Sequence, residues 1–209
     1  MKLILALGNH PPRYQKTRHN IGFIALNRWA LEHSLSFSRS DLFDYIVFRQ
    51  AVAIKPRTFM NLTEQALKAA LLRWKISEIL VLHDDIELTP TQLRIRSGGG
   101  DGGHNGLKSL FNVMPPDDLK RIRIGIGRSP SLPADKYVLD EFADEELAGY
   151  DESLKLVSRF LDTFIRDDFN SMLNDYSKWK KSYSDGKTVG IKSPKEEKDD
   201  QRLRTHDDF

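Results

Sequence analysis

Residues 2–9 read KLILALGN. Five consecutive apolar residues, Leu3–Leu7, run straight into Gly8-Asn9. A strand with one wet face alternates, whereas a continuous run ended by a turn signal fits a parallel strand buried on both faces. The run is too short for a signal-peptide core and meets a double proline where a small-residue cleavage site would stand. Ile79–His83 repeats the pattern and ends in Asp84-Asp85.

Outward from these two runs, Ile21 to about His33 predicts a helix with Ile21, Ile24, Ala25 and Trp29 towards one side. Tyr45–Phe48 and Val52–Ile54 predict two short strands, and Asn61 to Trp74 a second helix. Leu93–Arg96 and Arg121–Ile126 alternate as RIR and RIRIGI, each with one apolar face and one arginine face. A helix is expected to begin near His104. Leu147, Tyr150, Leu154, Val157, Leu161 and Phe164 repeat at three- and four-residue intervals, the stripe of one long amphipathic helix. A last helix is expected over 170–180. Strands alternating with helices predict a single α/β domain over residues 1–181 with a mixed sheet. From Ser182 to Phe209 the chain is polar and too poor in large apolar residues to offset ordering, so a disordered tail is expected there.

The chain has 209 residues, 39% of them apolar and 30% charged, which suits one folded domain with a polar surface. No apolar run approaches the ~18–20 residues of a membrane helix, so no membrane partner is expected. Cysteine is absent, which excludes disulfides, thiolate metal sites and cysteine nucleophiles and fits a reducing compartment. The net charge of +2 decides little; the placement of the arginines matters more.

Six of the 13 glycines fall within Gly98–Gly106, in SGGGDGGHNGLKS. Gly98-x-Gly100-x-x-Gly103 matches the dinucleotide pattern, but that pattern should follow the first buried strand and here follows an arginine-rich one. No Gly-Lys-Ser/Thr follows, so a P-loop is excluded. A flexible surface loop competes with a backbone that a ligand approaches closely. Arg94 and Arg96 share one strand face, as do Arg121 and Arg123. Such like charges on neighbouring strands repel unless an anion intervenes, and the guanidinium fork suits phosphate. Arg57, Arg128 and Lys108 would extend the patch.

Asn9 and Asp84 close two buried strands, where open α/β sheets bind ligands. His19 sits in YQKTRHNIG on the loop between the first strand and its helix. A histidine with a carboxylate is the minimum for general-base chemistry. The plainer alternative is Asn20 capping the helix and His83-Asp84-Asp85 forming a surface turn. A metal on His83, Asp84, Asp85 and His104, with Asp101, ranks lower because adjacent strand residues point to opposite faces. Asn61 three residues before Glu64 reads as a capping box, and Asn105 as a cap. Yet Asn9, Asn61 and Asn105 each stand at the mouth of an element, and carboxamides offer both donors and acceptors.

LALGNHPPRYQKTRHNIGF, KPRTFMNLTEQA, ILVLHDDIEL, SGGGDGGHNGLKSL and RIRIGIGR, in this order and spacing, resemble the bacterial-type peptidyl-tRNA hydrolases over about residues 1–180. The resemblance implies a twisted mixed sheet with helices on both faces. It implies hydrolysis of the ester between peptide and tRNA, recycling tRNA in the cytoplasm, by a monomer without metal or other cofactor. It implies His19 as general base, Asp84 as its holder and Asn9 at the ester. Asn61 and Asn105 would bind the peptide, with Tyr14, Met60, His104 and the Gly102-Gly103 backbone shaping the cleft. Arg96 and Arg123 would grip the terminal phosphate of tRNA. His10, Glu64 and Asp101 depart from the family's usual residues, and Glu64 is expected to put a carboxylate on the cleft wall. A non-enzymatic RNA-binding relative and a metal-dependent phosphoesterase stand as the competing readings.

Overall fold

The computed structural model describes residues 1–184. The tail expected over 182–209 therefore lies outside the described residues from 185 on. The chain divides into two compact units, Met1–Tyr176 and the part from Ser177. The sheet and every candidate site residue lie in the first.

In chain order the elements are β1 (Lys2–Ala6), α1 (Ile21–Glu32), β2 (Ser38–Arg39), β3 (Phe43–Phe48), β4 (Ala51–Pro56), α2 (Thr63–Arg73) and β5 (Glu78–Asp85). Then come β6 (Leu93–Ser97), α3 (Asn105–Leu110), β7 (Lys120–Gly125), α4 (Ala134–Tyr137), α5 (Asp144–Ala148), α6 (Asp151–Arg166) and α7 (Phe169–Ser184). Seven strands form one sheet in the order β2-β3-β4-β1-β5-β7-β6. The centre is parallel, β1 pairing with both β4 and β5, and β5 with β7. Towards the two edges the pairing turns antiparallel, β2 with β3 and β3 with β4 on one side and β6 with β7 on the other, so the sheet is mixed, as the change from continuous to alternating patterns predicts.

Leu3 to Leu7 are all fully buried. Leu3, Leu5 and Leu7 join Val52, Ile54 and Val81 under the apolar faces of α2 and α3. On the opposite face α1 meets β1 and β5, and α6 packs on α1. Gly22 makes that approach feasible, since a Cβ there would stand 2.7 Å from the Leu82 carbonyl and 2.8 Å from that of Leu7.

The fold departs from the sequence expectations in two places. The long helix expected from Leu147 is broken into α5 and α6 at Gly149-Tyr150; Tyr150 there is 1% exposed and donates its hydroxyl to the Gly125 carbonyl. The arginine face of β7 is not solvated either, for Arg121 is only 3% exposed.

Candidate active site

β1 and β5 run side by side with Ala6 opposite Leu82, so Asn9, just past β1, and Asp84, near the end of β5, lie at neighbouring carboxyl ends of the sheet. The turn Arg18–Asn20, just before α1, brings His19 over the same edge. His19 Nδ1 lies 2.8 Å from Asp84 Oδ1. Both side chains are nearly buried, and no other hydrogen bond reaches His19's ring among the described residues. With Nδ1 spent on the carboxylate, Nε2 carries the lone pair and serves the cavity that His19 lines.

That cavity measures about 700 Å³. Its wall brings together His19, Asp84, His104, Asn105, Gly102, Arg96 and Arg123. Asn9, Tyr14, Met60 and Asn61 are not on it. Asn9 is 6% exposed, with Oδ1 accepting from the Met60 N–H at 2.9 Å. This fixes the carboxamide, leaving its Nδ2 as the group to present. Met60 in turn packs on α3, where Gly106 leaves room for its sulfur. Asn61 and Asn105 are exposed at the mouths of adjacent elements, and Tyr14 is half-buried on the 3-10 turn Pro12–Tyr14 with Arg13 over its ring.

None of the three caps read from the asparagines forms. Asn20 caps nothing; its side chain bonds the main chain of Asn9 in both directions. Asn61 does not cap α2. His104, not Asn105, caps α3, with Nδ1 accepting from the N–H groups of Gly106 and Leu107. His104 Nε2 reaches Asp84 Oδ1 at 2.9 Å. Its ring thus serves the carboxylate and the helix while it lines the cavity.

Donor atoms of His19, Asp84 and His104 lie within 4.8 Å of one another, so these three could be taken for a metal set. In this structure both rings meet Asp84 Oδ1 instead. Two ring N–H groups point at one carboxylate oxygen, and a ligand nitrogen needs a lone pair there. His83 does not join them: its Nδ1 donates to the Asp84 carbonyl at 2.6 Å, and its Nε2 is buried without a partner. Burial first, then the neighbouring His104, holds His83 neutral, well below the ordinary histidine range. Burial alone would raise the Asp84 carboxyl, but the His19 and His104 rings outweigh it and keep it ionised, far below the usual range.

The residues 3–184 match the family described as Peptidyl-tRNA hydrolase. The chain belongs to that family. It is 39% identical over 187 residues to a peptidyl-tRNA hydrolase of Chloroflexus aggregans, covering 85% of this chain and 99% of that one. It is 36% identical over 186 residues to one from Syntrophomonas wolfei, covering 85% and 100%. The crystal structure of peptidyl-tRNA hydrolase from Acinetobacter baumannii superposes with a TM-score of 0.69 at 26% identity, over 82% of this chain and 94% of that one.

Against the family pattern the arginines and the departures take definite places. β6 and β7 set Arg94 opposite Arg123 and Arg96 opposite Arg121, so four guanidinium groups share one face. Arg123 is ion-paired through Nε with Asp85. Arg121 donates to the carbonyls of Gly98 and Gly100 and is pulled down to about 10 by burial, with Arg96 and Arg123 adding to it. Glu64 is not a bare charge on the cleft wall, since the Ser109 hydroxyl donates to its carboxylate and its own N–H returns to that oxygen at 2.9 Å. Asp101 closes a turn on the Gly103 N–H at 2.7 Å. His10 is half-buried, and burial followed by Arg57 lowers its proton affinity.

Two residues of the site were not legible in the sequence. Asn20 looks like a cap. Arg18, 8% exposed, reaches Glu146 at 2.6 Å, Asp140 at 3.3 Å and the Glu141 carbonyl at 2.8 Å. With it the His19 N–H donates to the Val138 carbonyl at 2.7 Å, so a strap carrying α4 and α5 is fastened beside His19 and supplies Ala134, Asp135 and Val138 to the cavity wall. Nothing local marks Arg18, because its acids are more than 120 positions away.

Proposed function

We propose that this chain hydrolyses the ester that joins a peptide to the 3′ oxygen of tRNA, with water activated by His19. The observation that carries the mechanism is the 2.8 Å contact of His19 Nδ1 with Asp84, which leaves Nε2 as an acceptor on the cavity wall. Nε2 takes a proton from water as the oxygen attacks the ester carbonyl. Asp84 steadies the imidazolium, and Asn9 Nδ2 donates to the developing oxyanion, a contribution of about 3–4 kcal/mol for a well-placed donor. Collapse of the tetrahedral intermediate breaks the ester bond, and the proton passes from the imidazolium to the leaving ribose oxygen.

An ester is already activated, so this chemistry needs neither metal nor covalent intermediate. Asn61 and Asn105 pair with the first peptide group, which an unblocked α-ammonium would mismatch, at about 1–3 kcal/mol for each polar group left unpaired. Arg96, exposed and with no ion-pair partner among the described residues, is the leading contact for tRNA phosphate, and Arg123 follows once its Asp85 partner is shared. The protein acts as a cytoplasmic monomer. No helix among the described residues is long and apolar enough to cross a membrane.

Comparing N-acetylaminoacyl-tRNA with its unblocked twin tests this reading. Release from the blocked ester at least tenfold faster is expected; equal rates would remove the role given to the carboxamides.

A further inference from the structure

His104 stands at the head of α3, and its Nδ1 accepts from Gly106 at 3.0 Å and Leu107 at 3.4 Å. A ring nitrogen that accepts from amides carries a lone pair, so the proton of the neutral ring sits on Nε2. That Nε2 lies 2.9 Å from Asp84 Oδ1, the same oxygen that meets His19 Nδ1 at 2.8 Å. The two rings are 4.7 Å apart between centroids. One carboxylate oxygen therefore serves two histidine N–H groups, and the chemistry must choose between two imidazoles as the base.

We propose that His104 is a positioning residue, locked by the α3 cap in its Nε2–H form, which divides the hold of Asp84 between two rings and so restrains how strongly His19 keeps a proton. The inference rests on the reading of His19 as base and adds what chooses it. Charging His104 would place an Nδ1 hydrogen against two amide hydrogens, so the helix end opposes it. His19 has no such cap. Only His19 can cycle.

The other charged groups around this pair are already engaged or stand off Oδ1. From β5, His83 is held neutral and Asp85 pairs with Arg123 of β7. Arg121 of β7 is turned to the glycine carbonyls, and Asp101 of the glycine loop to the Gly103 N–H. Arg96 of β6, Asp135 of the strap and Glu87, paired with Arg128, line the same cavity. None of them is hydrogen-bonded to Asp84 Oδ1 in the described residues, whose side-chain partners there are the two rings.

His104→Asn separates the two duties. Asparagine is a good N-cap, but its short side chain does not reach Asp84 once it caps. Asp84 then acts on His19 alone. The acid limb of log kcat/KM against pH is expected to move up by about half a pH unit or more. His104→Ala should show the same shift and a lower Tm, because it also loses the cap. Nitrogen NMR of the histidine rings needs no substrate, so it tests the inference even if the substrate assignment fails. In the wild type His104 should stay unprotonated at Nδ1 from pH 5 to 8 while His19 titrates, and the His19 midpoint should rise in His104→Asn. A midpoint that is unmoved or lower, or His104 titrating in that range in the wild type, would overturn the proposal.

Discussion

Asn20 and Asn9 hold one another through two hydrogen bonds: the Asn9 N–H donates to Asn20 Oδ1 at 2.8 Å, and Asn20 Nδ2 donates to the Asn9 carbonyl at 3.0 Å. Both residues are buried, and Asn20 directly follows His19 in the chain. One carboxamide thus ties the loop of the proposed base to the loop of the proposed oxyanion donor. Asn20→Ala should lose about 1–3 kcal/mol of stability, since it leaves two buried main-chain groups unpaired. It should also lower kcat by ~10–100-fold with KM little changed, because a displaced donor and base act on the transition state. Urea unfolding and steady-state kinetics read the two effects. A variant of unchanged kcat would show that the pair is only structural.

The glycine loop makes a second claim. Gly98, Gly99, Gly102 and Gly103 all have φ between +58° and +93°. At Gly99 a Cβ would stand 2.6 Å from an Arg96 nitrogen and 2.8 Å from one of Arg121. Gly99→Ala should therefore be strained by about 1–3 kcal/mol and displace both guanidinium groups. We expect a lower Tm and tRNA affinity down at least fivefold. Normal binding with a normal Tm would mean that the loop absorbs a side chain freely.

Stability should fall with acid in a window set by His83. Its proton affinity is depressed by burial, so below about pH 6.5 the unfolded chain takes up a proton that the folded chain refuses. The stabilisation is present above that pH and is lost as pH falls towards the lower folded value. About 1 kcal/mol should disappear between pH 7.5 and 5.5. Asp84, depressed in the folded state by His19 and His104, stabilises above its unfolded value of about 3.9 and loses that contribution only below it. Urea midpoints at pH 7.5, 6.5 and 5.5 separate the two. His83→Leu should flatten the upper window, and a wild-type midpoint constant across it would contradict the assignment.

Salt dependence distinguishes the arginines. Removing one arginine–phosphate pair should reduce the slope of log affinity against log salt by about 0.7–0.9. Arg96→Ala is expected to show that change with stability preserved. Arg123→Ala should also destabilise the fold, because Asp85 would be left nearly buried without its cation. Slopes that match the wild type in both variants would remove this face from tRNA binding.

What the sequence made legible follows from periodicity. Leu3–Leu7 and Ile79–His83 marked buried parallel strands, and the RIR alternation marked the sheet as mixed. Asn9 and Asp84 followed, because strand ends in a parallel sheet converge. His19 and Asp84 meet as their motifs imply. The rest depended on contacts that chain order hides. Asn20, His104 and Glu64 have local roles that look sufficient, yet each spends its side chain on a partner 11 to 45 positions away. Arg121 alternates like a surface residue but is buried by the glycine loop that it holds. Tyr150 continues a helical stripe, and its position as the break between α5 and α6 is not visible in that periodicity.

The most direct test of the account is release of peptide from N-acetylaminoacyl-tRNA with EDTA present, comparing the wild type with His19→Ala. The account predicts turnover by the wild type and a loss of at least a thousandfold in kcat for His19→Ala, with tRNA binding retained. Comparable rates for the two proteins, or a wild type inactivated by EDTA, would contradict water activation by His19.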